Sequence, residues 1–179
     1  KRLFPNFSFL DAPYNKQYYK QGDYRTEIAY MGCRTRVIAN VYDPSNEIVT
    51  GRGNLSFTSI NLPRLAFLSK SVEEFRGKIK EVADKAKNSL EIKRKIIEEQ
   101  TEKGLYPYCA RYLKGAKERF GDYWHNHFST IGVIGMNEAL LNLIGKDLTT
   151  DEGQKIALDV MNYLRDLITT YQEETGHVY

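Results

Sequence analysis

Met31-Gly-Cys-Arg-Thr-Arg-Val37, followed by Gly51-Arg-Gly-Asn-Leu-Ser-Phe-Thr-Ser-Ile-Asn-Leu-Pro-Arg64, is the stretch around which the rest of the chain is arranged. Ile, Tyr and Val cluster from Glu27 to Val41, which reads as an extended arm. Asp43-Pro-Ser-Asn46 supplies a turn, and Ile48 to Ile60 reads as a returning arm. The sequence thus predicts a long hairpin-like excursion over about 27–62. One of the two cysteines, Cys33, lies on its outgoing arm between Gly32 and Arg34. In an extended run Cys33, Thr35 and Val37 face one way and Arg34 and Arg36 the other, so the thiol need not feel the guanidiniums. Composition leaves two readings of Cys33 open: a small buried apolar residue, or a reagent.

Downstream of this excursion the pattern turns helical. Ser71-Val-Glu-Glu74 forms a capping box, and Phe75, Ile79, Val82, Ala86 and Leu90 recur at helical spacing. That helix is expected to run to about Lys103 and to close at Gly104. A second is expected from Tyr108 to Arg119. His127 to Gly135 is a short apolar run rich in branched residues and glycine, followed at once by Asn137-Glu-Ala-Leu-Leu-Asn-Leu-Ile-Gly145, which is a buried strand feeding a helix. Thr149-Thr-Asp-Glu152 reads as another capping box before a last amphipathic helix that ends at Gly176. Upstream, Phe4 to Phe9 alternates as a short strand would, and Tyr14 to Tyr24 has no period. No repeat or linker divides the chain. Residues 1–179 therefore read as a single piece, with helical and βα segments over about 71–175. Long helices with so few strands to cover them suggest part of a larger α/β body.

At 179 residues the chain suits one domain that buries about two-thirds of its unfolded surface. Apolar residues at 41% and charged residues at 27% describe a globular protein, neither disordered nor fibrous. No apolar run is long enough to span a bilayer. The chain opens without methionine or signal pattern and stops just after a helical stretch, as a piece cut from a longer protein would. Two cysteines make no disulfide framework, so a reducing, cytoplasmic setting is expected. The net charge of +3 is small and the charges interleave, which reads as solvated helix faces and not as a nucleic-acid stripe.

Other chemical candidates are weaker. His125 and His127 would share one side of a strand, but no cysteine or carboxylate nearby completes a metal set. Gly51-Arg-Gly-Asn54 lacks the spacing and lysine of a phosphate loop, so its glycines read better as backbone turns or close approaches to a ligand. Cys109, at the beginning of a helix beside two tyrosines, reads as a half-buried structural residue. Asn137 and Glu138 follow the C-terminal end of a predicted strand, where α/β folds place pocket residues, and are substrate-binding candidates on position alone.

Tyr30-Met-Gly-Cys-Arg-Thr-Arg-Val37 and Thr50-Gly-Arg-Gly-Asn-Leu-Ser-Phe-Thr-Ser-Ile-Asn-Leu-Pro-Arg-Leu-Ala66 closely resemble the radical-cysteine segment of the anaerobic (class III) ribonucleoside-triphosphate reductases. Phe128-Ser-Thr-Ile-Gly-Val-Ile-Gly-Met-Asn-Glu-Ala139 resembles the same family's strand-helix unit. The resemblance extends over nearly the whole chain in the same order. It implies part of a ten-stranded α/β barrel of the glycyl radical enzyme type, with a finger loop through its centre and Cys33 at the finger tip. It further implies that a glycyl radical takes the hydrogen from the Cys33 thiol, and that the thiyl radical then abstracts the ribose 3′ hydrogen. Loss of water at the 2′ position and reduction by formate follow. Asn54 matches the family's asparagine that hydrogen-bonds the sugar hydroxyls.

The same resemblance implies a ribonucleoside triphosphate substrate, a radical-SAM activating enzyme, and a homodimer at full length. The glycyl radical motif, the structural zinc cysteines and the nucleotide-sensing domain of the family are not found in this sequence, and Cys109 does not match the family's second active-site cysteine. No cofactor or metal is therefore expected within residues 1–179, and the piece alone is expected to be inactive. The chemistry suits the residues: hydrogen-atom transfer needs a neutral S–H in a shielded place. Asn54 offers donor and acceptor to vicinal hydroxyls. Two rival readings are another glycyl radical enzyme acting on small carbon compounds and a non-catalytic nucleotide-binding module.

Overall fold

The structure, a computed structural model, describes residues 9–17, 19–23, 29–31, 35–37 and 52–179. Two compact units emerge, Lys1–Gly53 and Asn54–Tyr179, although the sequence shows no linker between them.

In the first unit, α1 (Pro13–Lys16) is a single turn that begins on a proline, whose missing N–H is no loss there. Asn15 is buried and its Nδ2 donates to the Phe9 carbonyl at 2.6 Å. Two short strands follow, β1 (Ala29–Met31) and β2 (Thr35–Val37), paired antiparallel with Ala29 opposite Val37 and Met31 opposite Thr35. This register corrects the expectation of one outgoing arm over 27–41. The two halves of that arm pair with each other, because a connection of three residues costs less closure entropy than pairing across the much longer segment that follows. Cys33 itself lies outside the described residues, as do the Asp43 turn and most of the first half of the returning arm.

The returning arm is real but finds another partner. Strand β3 (Gly53–Asn61) pairs with β4 (His127–Ile134). Each runs directly into a helix: β3 into α2 (Leu62–Phe67), β4 into α6 (Met136–Ile144). Asn61 caps α2, its Oδ1 accepting from the Arg64 N–H at 3.0 Å. Helices α2 and α6 pack on each other, so the two βα units end side by side. At the β4–α6 turn Gly135 has φ 77°, and an added Cβ would come within 2.7 Å of Pro63 Cδ. Only glycine suits both the left-handed backbone and that contact.

The long helix α3 (Val72–Glu102) starts as its sequence predicts, with Ser71 Oγ accepting from the Glu74 N–H at 3.2 Å. Glu74 returns the bond to the Lys70 N–H at 2.8 Å, one residue before the cap. The helix closes at Gly104, whose φ is 84°. The predicted second helix is two, α4 (Pro107–Tyr112) and α5 (Lys114–Phe120), broken at Leu113. The last, α7 (Asp151–Thr175), is capped by Thr150 and not Thr149: Thr150 Oγ1 accepts from the Gly153 N–H at 3.1 Å. Thr149 instead bonds Asp147 through its hydroxyl and N–H.

The core lies where α3 and α7, running side by side from Arg76–Asp159 to Lys87–Glu174, pack against the βα units. Phe75, Ile79 and Ala83 of α3 meet Ile60, Leu62 and Ala66, together with Ala139 of α6 and Val160, Leu164 and Tyr171 of α7. Each fully buried large apolar side chain contributes about 1.5–3 kcal/mol, so this cluster dominates the stability of the second unit. Tyr171 Oη donates to Asp84 Oδ1 at 2.5 Å, and Lys87 pairs with Glu174 at 2.8 Å, tying α7 to α3 at its rim. The described architecture is mixed α/β. Among the described residues, no helix is long and apolar enough to cross a membrane.

Candidate functional site

The two faces of the β3–β4 pair differ in what covers them. On β4, His127 and Ser129 are buried towards α3, and Ile131 and Val133 pack on the core. Alternation places Phe128, Thr130, Gly132 and Ile134 on the opposite face, where Ile134 is 62% exposed. On β3 the exposed residues are Asn54, Phe57, Ser59 and Asn61. Exposure does not alternate strictly along β3, since Leu55 and Ser56 are both half-buried between exposed Asn54 and Phe57. Asn54 is exposed at the start of the strand, where Thr130 Oγ1 donates to its Oδ1 at 2.5 Å, which sets the two side chains together. Gly132 keeps the strands close further along, since an added Cβ would lie 3.1 Å from Ser59 Oγ.

The other predicted residues are placed separately. Asn137 is in the first turn of α6, and its Oδ1 accepts from the Leu148 N–H at 3.0 Å, bracing the loop before α7. Glu138 is exposed in the same turn, where the helix dipole favours a carboxylate. Asn54 is at the start of β3, whereas Asn137 and Glu138 lie beyond the end of β4. Cys33 lies outside the described residues. Cys109 is a half-buried free thiol on α4.

The histidines belong to a structural network on the covered face. Arg94 of α3 is 5% exposed, and its guanidinium donates to the Trp124 carbonyl at 2.8 Å, the His127 carbonyl at 2.5 Å and Ser129 Oγ at 3.0 Å. Burial holds the pKa of Arg94 below the usual arginine value. Trp124 Nε1 donates to Thr101 Oγ1 at 2.9 Å, and its ring meets His127 edge-on. Burial, with the Arg94 charge beside it, lowers the His127 pKa to about 4, so the ring is neutral at neutral pH. His125 stacks on Phe120 and its Nδ1 lies 3.0 Å from Asp122 Oδ2. Among the described residues, no three His, Cys, Asp or Glu side chains are grouped to hold a metal. A cavity of about 280 Å³ opens between β4 and α7, lined by Ile131, Val133, Leu164, Ile168 and Tyr179. Its lining is mainly apolar and it lies on the face away from Thr130.

Sequence reading found Asn54 by resemblance but not Thr130. The signal was available in the alternation of β4, which puts Thr130 out of phase with the buried His127 and Ser129. Arg94 was missed among the many charges of α3, although it stands four residues after Leu90 and so in phase with the buried stripe of Phe75, Ile79, Ala83 and Ala86.

Two strands that each lead into a helix, with long helices packed beneath and a polar pair on the uncovered face, define an α/β body of the kind that carries sites on its strands. Its fold is similar to that of an anaerobic ribonucleotide reductase from Thermotoga maritima, solved with citrate in the active site. That likeness has a TM-score of 0.58 and 24% sequence identity, covering 72% of this chain and 23% of that one. The sequence pattern of the anaerobic ribonucleoside-triphosphate reductase family matches residues 1–179, and the chain belongs to that family. The anaerobic ribonucleoside-triphosphate reductase of Haemophilus influenzae is 28% identical over 190 residues, covering 100% of this chain and 25% of that protein. The Escherichia coli K12 enzyme is 26% identical over 186 residues, covering 99% and 25%. The chain spans about a quarter of the length of these relatives.

Proposed function

We propose that this chain is the part of an anaerobic ribonucleoside-triphosphate reductase that carries the radical cysteine and one contact to the ribose. Family membership along all 179 residues carries the reading. In it, β3 and β4 are two strands of a ten-stranded barrel, the segment around Cys33 is the finger within it, and the uncovered sheet face turns to the barrel interior.

Cys33 is the hydrogen-atom carrier. Its thiol gives a hydrogen atom to the glycyl radical of the longer protein. The sulfur radical then takes the 3′ hydrogen of the substrate ribose, forming S–H and leaving a carbon-centred radical. Water leaves from the 2′ position, and formate supplies the two electrons of the net reduction. The sulfur must stand within roughly 3–3.5 Å of the 3′ carbon for this transfer. Asn54 binds the sugar hydroxyls through its amide, and the exposed amide on the open face agrees with that role. Asn137 and Glu138 are pocket residues in this reading, at the strand-to-helix turn. Residues 1–179 alone do not turn over nucleotides. The full-length protein is a cytoplasmic homodimer activated by a radical-SAM enzyme.

The test is Cys33→Ser in the full-length, activated reductase. The glycyl radical is expected to form, seen by electron paramagnetic resonance, with no deoxyribonucleotide produced. Product formation at the wild-type rate would remove Cys33 from the mechanism.

A further inference from the structure

We propose that Thr130 is a positioning residue for Asn54: its hydroxyl anchors the Asn54 amide where substrate meets it. The inference rests on the reading of Asn54 as a ribose contact and adds a second residue to it. An unrestrained asparagine on an exposed strand face presents carbonyl and amino ends equally well after a half-turn about its terminal bond. Here Thr130 Oγ1–H donates to Asn54 Oδ1 at 2.5 Å, from a neighbouring strand 76 residues away in sequence. The Thr130 hydroxyl can donate or accept, so what the bond restrains is the place of the amide. In the orientation seen here, with Oδ1 taken by Thr130, both Nδ2 hydrogens are left for a hydrogen-bond acceptor such as the oxygen of a sugar hydroxyl.

One further feature supports a built arrangement. Thr130 is half-buried between strands whose approach is set by Gly132 against Ser59, so its position is better defined than that of the exposed Asn54. The bond adds little to folding, because Asn54 is exposed and water could take the place of either partner.

The experiment compares Thr130→Val, Thr130→Ser, Asn54→Ala and the Asn54→Ala/Thr130→Val double variant in the full-length, activated reductase. Thr130→Val keeps the shape and removes the donor. Its KM for the ribonucleoside triphosphate is expected to rise about fivefold, the factor given by losing one net hydrogen bond. Its glycyl radical content and melting temperature are expected to stay at the wild-type values. Thr130→Ser keeps the hydroxyl and should restore KM. In the Asn54→Ala background the valine should add nothing, because there is no amide left to anchor. If Asn54→Ala raises KM but Thr130→Val does not, the positioning role is wrong and the Asn54 contact stands. If Asn54→Ala itself leaves KM and kcat unchanged, the ribose contact fails and the role of Thr130 fails with it. A Thr130→Ser variant as impaired as Thr130→Val would also overturn the proposal, since the hydroxyl would then not be what matters.

Discussion

Arg94 and His127 are joined across the covered side of the sheet by a 2.5 Å hydrogen bond from the guanidinium to the backbone carbonyl. The same guanidinium holds the Trp124 carbonyl and Ser129 Oγ, so one side chain from the C-terminal third of α3 fixes the entry to β4. That strand in turn carries Thr130 on its other face.

Arg94→Ala should therefore be among the most destabilising single changes in the second unit. It strands two carbonyls and a hydroxyl in a buried site, at a cost of about 3 kcal/mol or more. Arg94→Lys should recover only part of this, because an ammonium cannot span the same three acceptors as a planar fork. Denaturant unfolding of the two variants checks the order, and a lysine variant as stable as wild type would contradict it.

The pH dependence of stability follows from His127. Its folded pKa, about 4, lies below the ordinary 6.5, so between these values the unfolded chain binds the proton that the folded chain refuses. Stability should fall as pH drops from about 6.5 towards 4, by up to about 3 kcal/mol from this group. Tyr171 and Tyr179 act at the other end. Burial and then their bonds to Asp84 and Glu91 raise both phenols well above 10, so stability should also fall as pH rises past the ordinary tyrosine value. Thermal melts across pH should show a plateau between these limits. His127→Gln should flatten the acid side.

Gly135→Ala tests the strand-to-helix turn. The left-handed backbone costs a non-glycine residue about 1–2 kcal/mol, and the new methyl would press on the Pro63 ring. The variant should be less stable by more than the backbone cost alone. Combining it with Pro63→Ala should return part of the loss, read as non-additivity in a double-mutant cycle.

Tyr171→Phe should loosen α7 from α3 without disturbing the core. The ring stays buried, while Asp84 loses a donor and keeps Lys80 at 2.7 Å. A loss of about 1 kcal/mol is expected, the usual worth of one such bond. It should be smaller at high ionic strength only if the Lys80 pair carries part of the effect.

Several elements were legible in residue order because their causes are local. Ser71 and Glu74 can only act on their own helix end, and the stripe from Phe75 to Leu90 needs nothing but the helical period to be recognised. His127 to Gly135 announced a strand and the turn after it for the same reason. The Thr149 box failed by one residue because Thr149 and Thr150 are equivalent in sequence, and Asp147 decides between them by taking Thr149.

Pairing was the part that sequence left open. Residues 27–41 and 48–60 both read as extended arms of one excursion, yet β1 closes on β2 and β3 on β4, since backbone hydrogen bonds carry no mark of their partner. Arg94 falls in phase with the buried stripe, four residues after Leu90, but a charge there reads as solvated until three acceptors from a distant segment meet it.

The residues around Cys33 and Asn54 by themselves determined the family and the expected chemistry, because those short runs are specific in identity and order. Only the tertiary structure decided that Asn54 faces outward and meets Thr130. A strand's period does not say what will cover either of its faces, and a hydrogen bond spanning 76 residues exists only once two strands lie side by side.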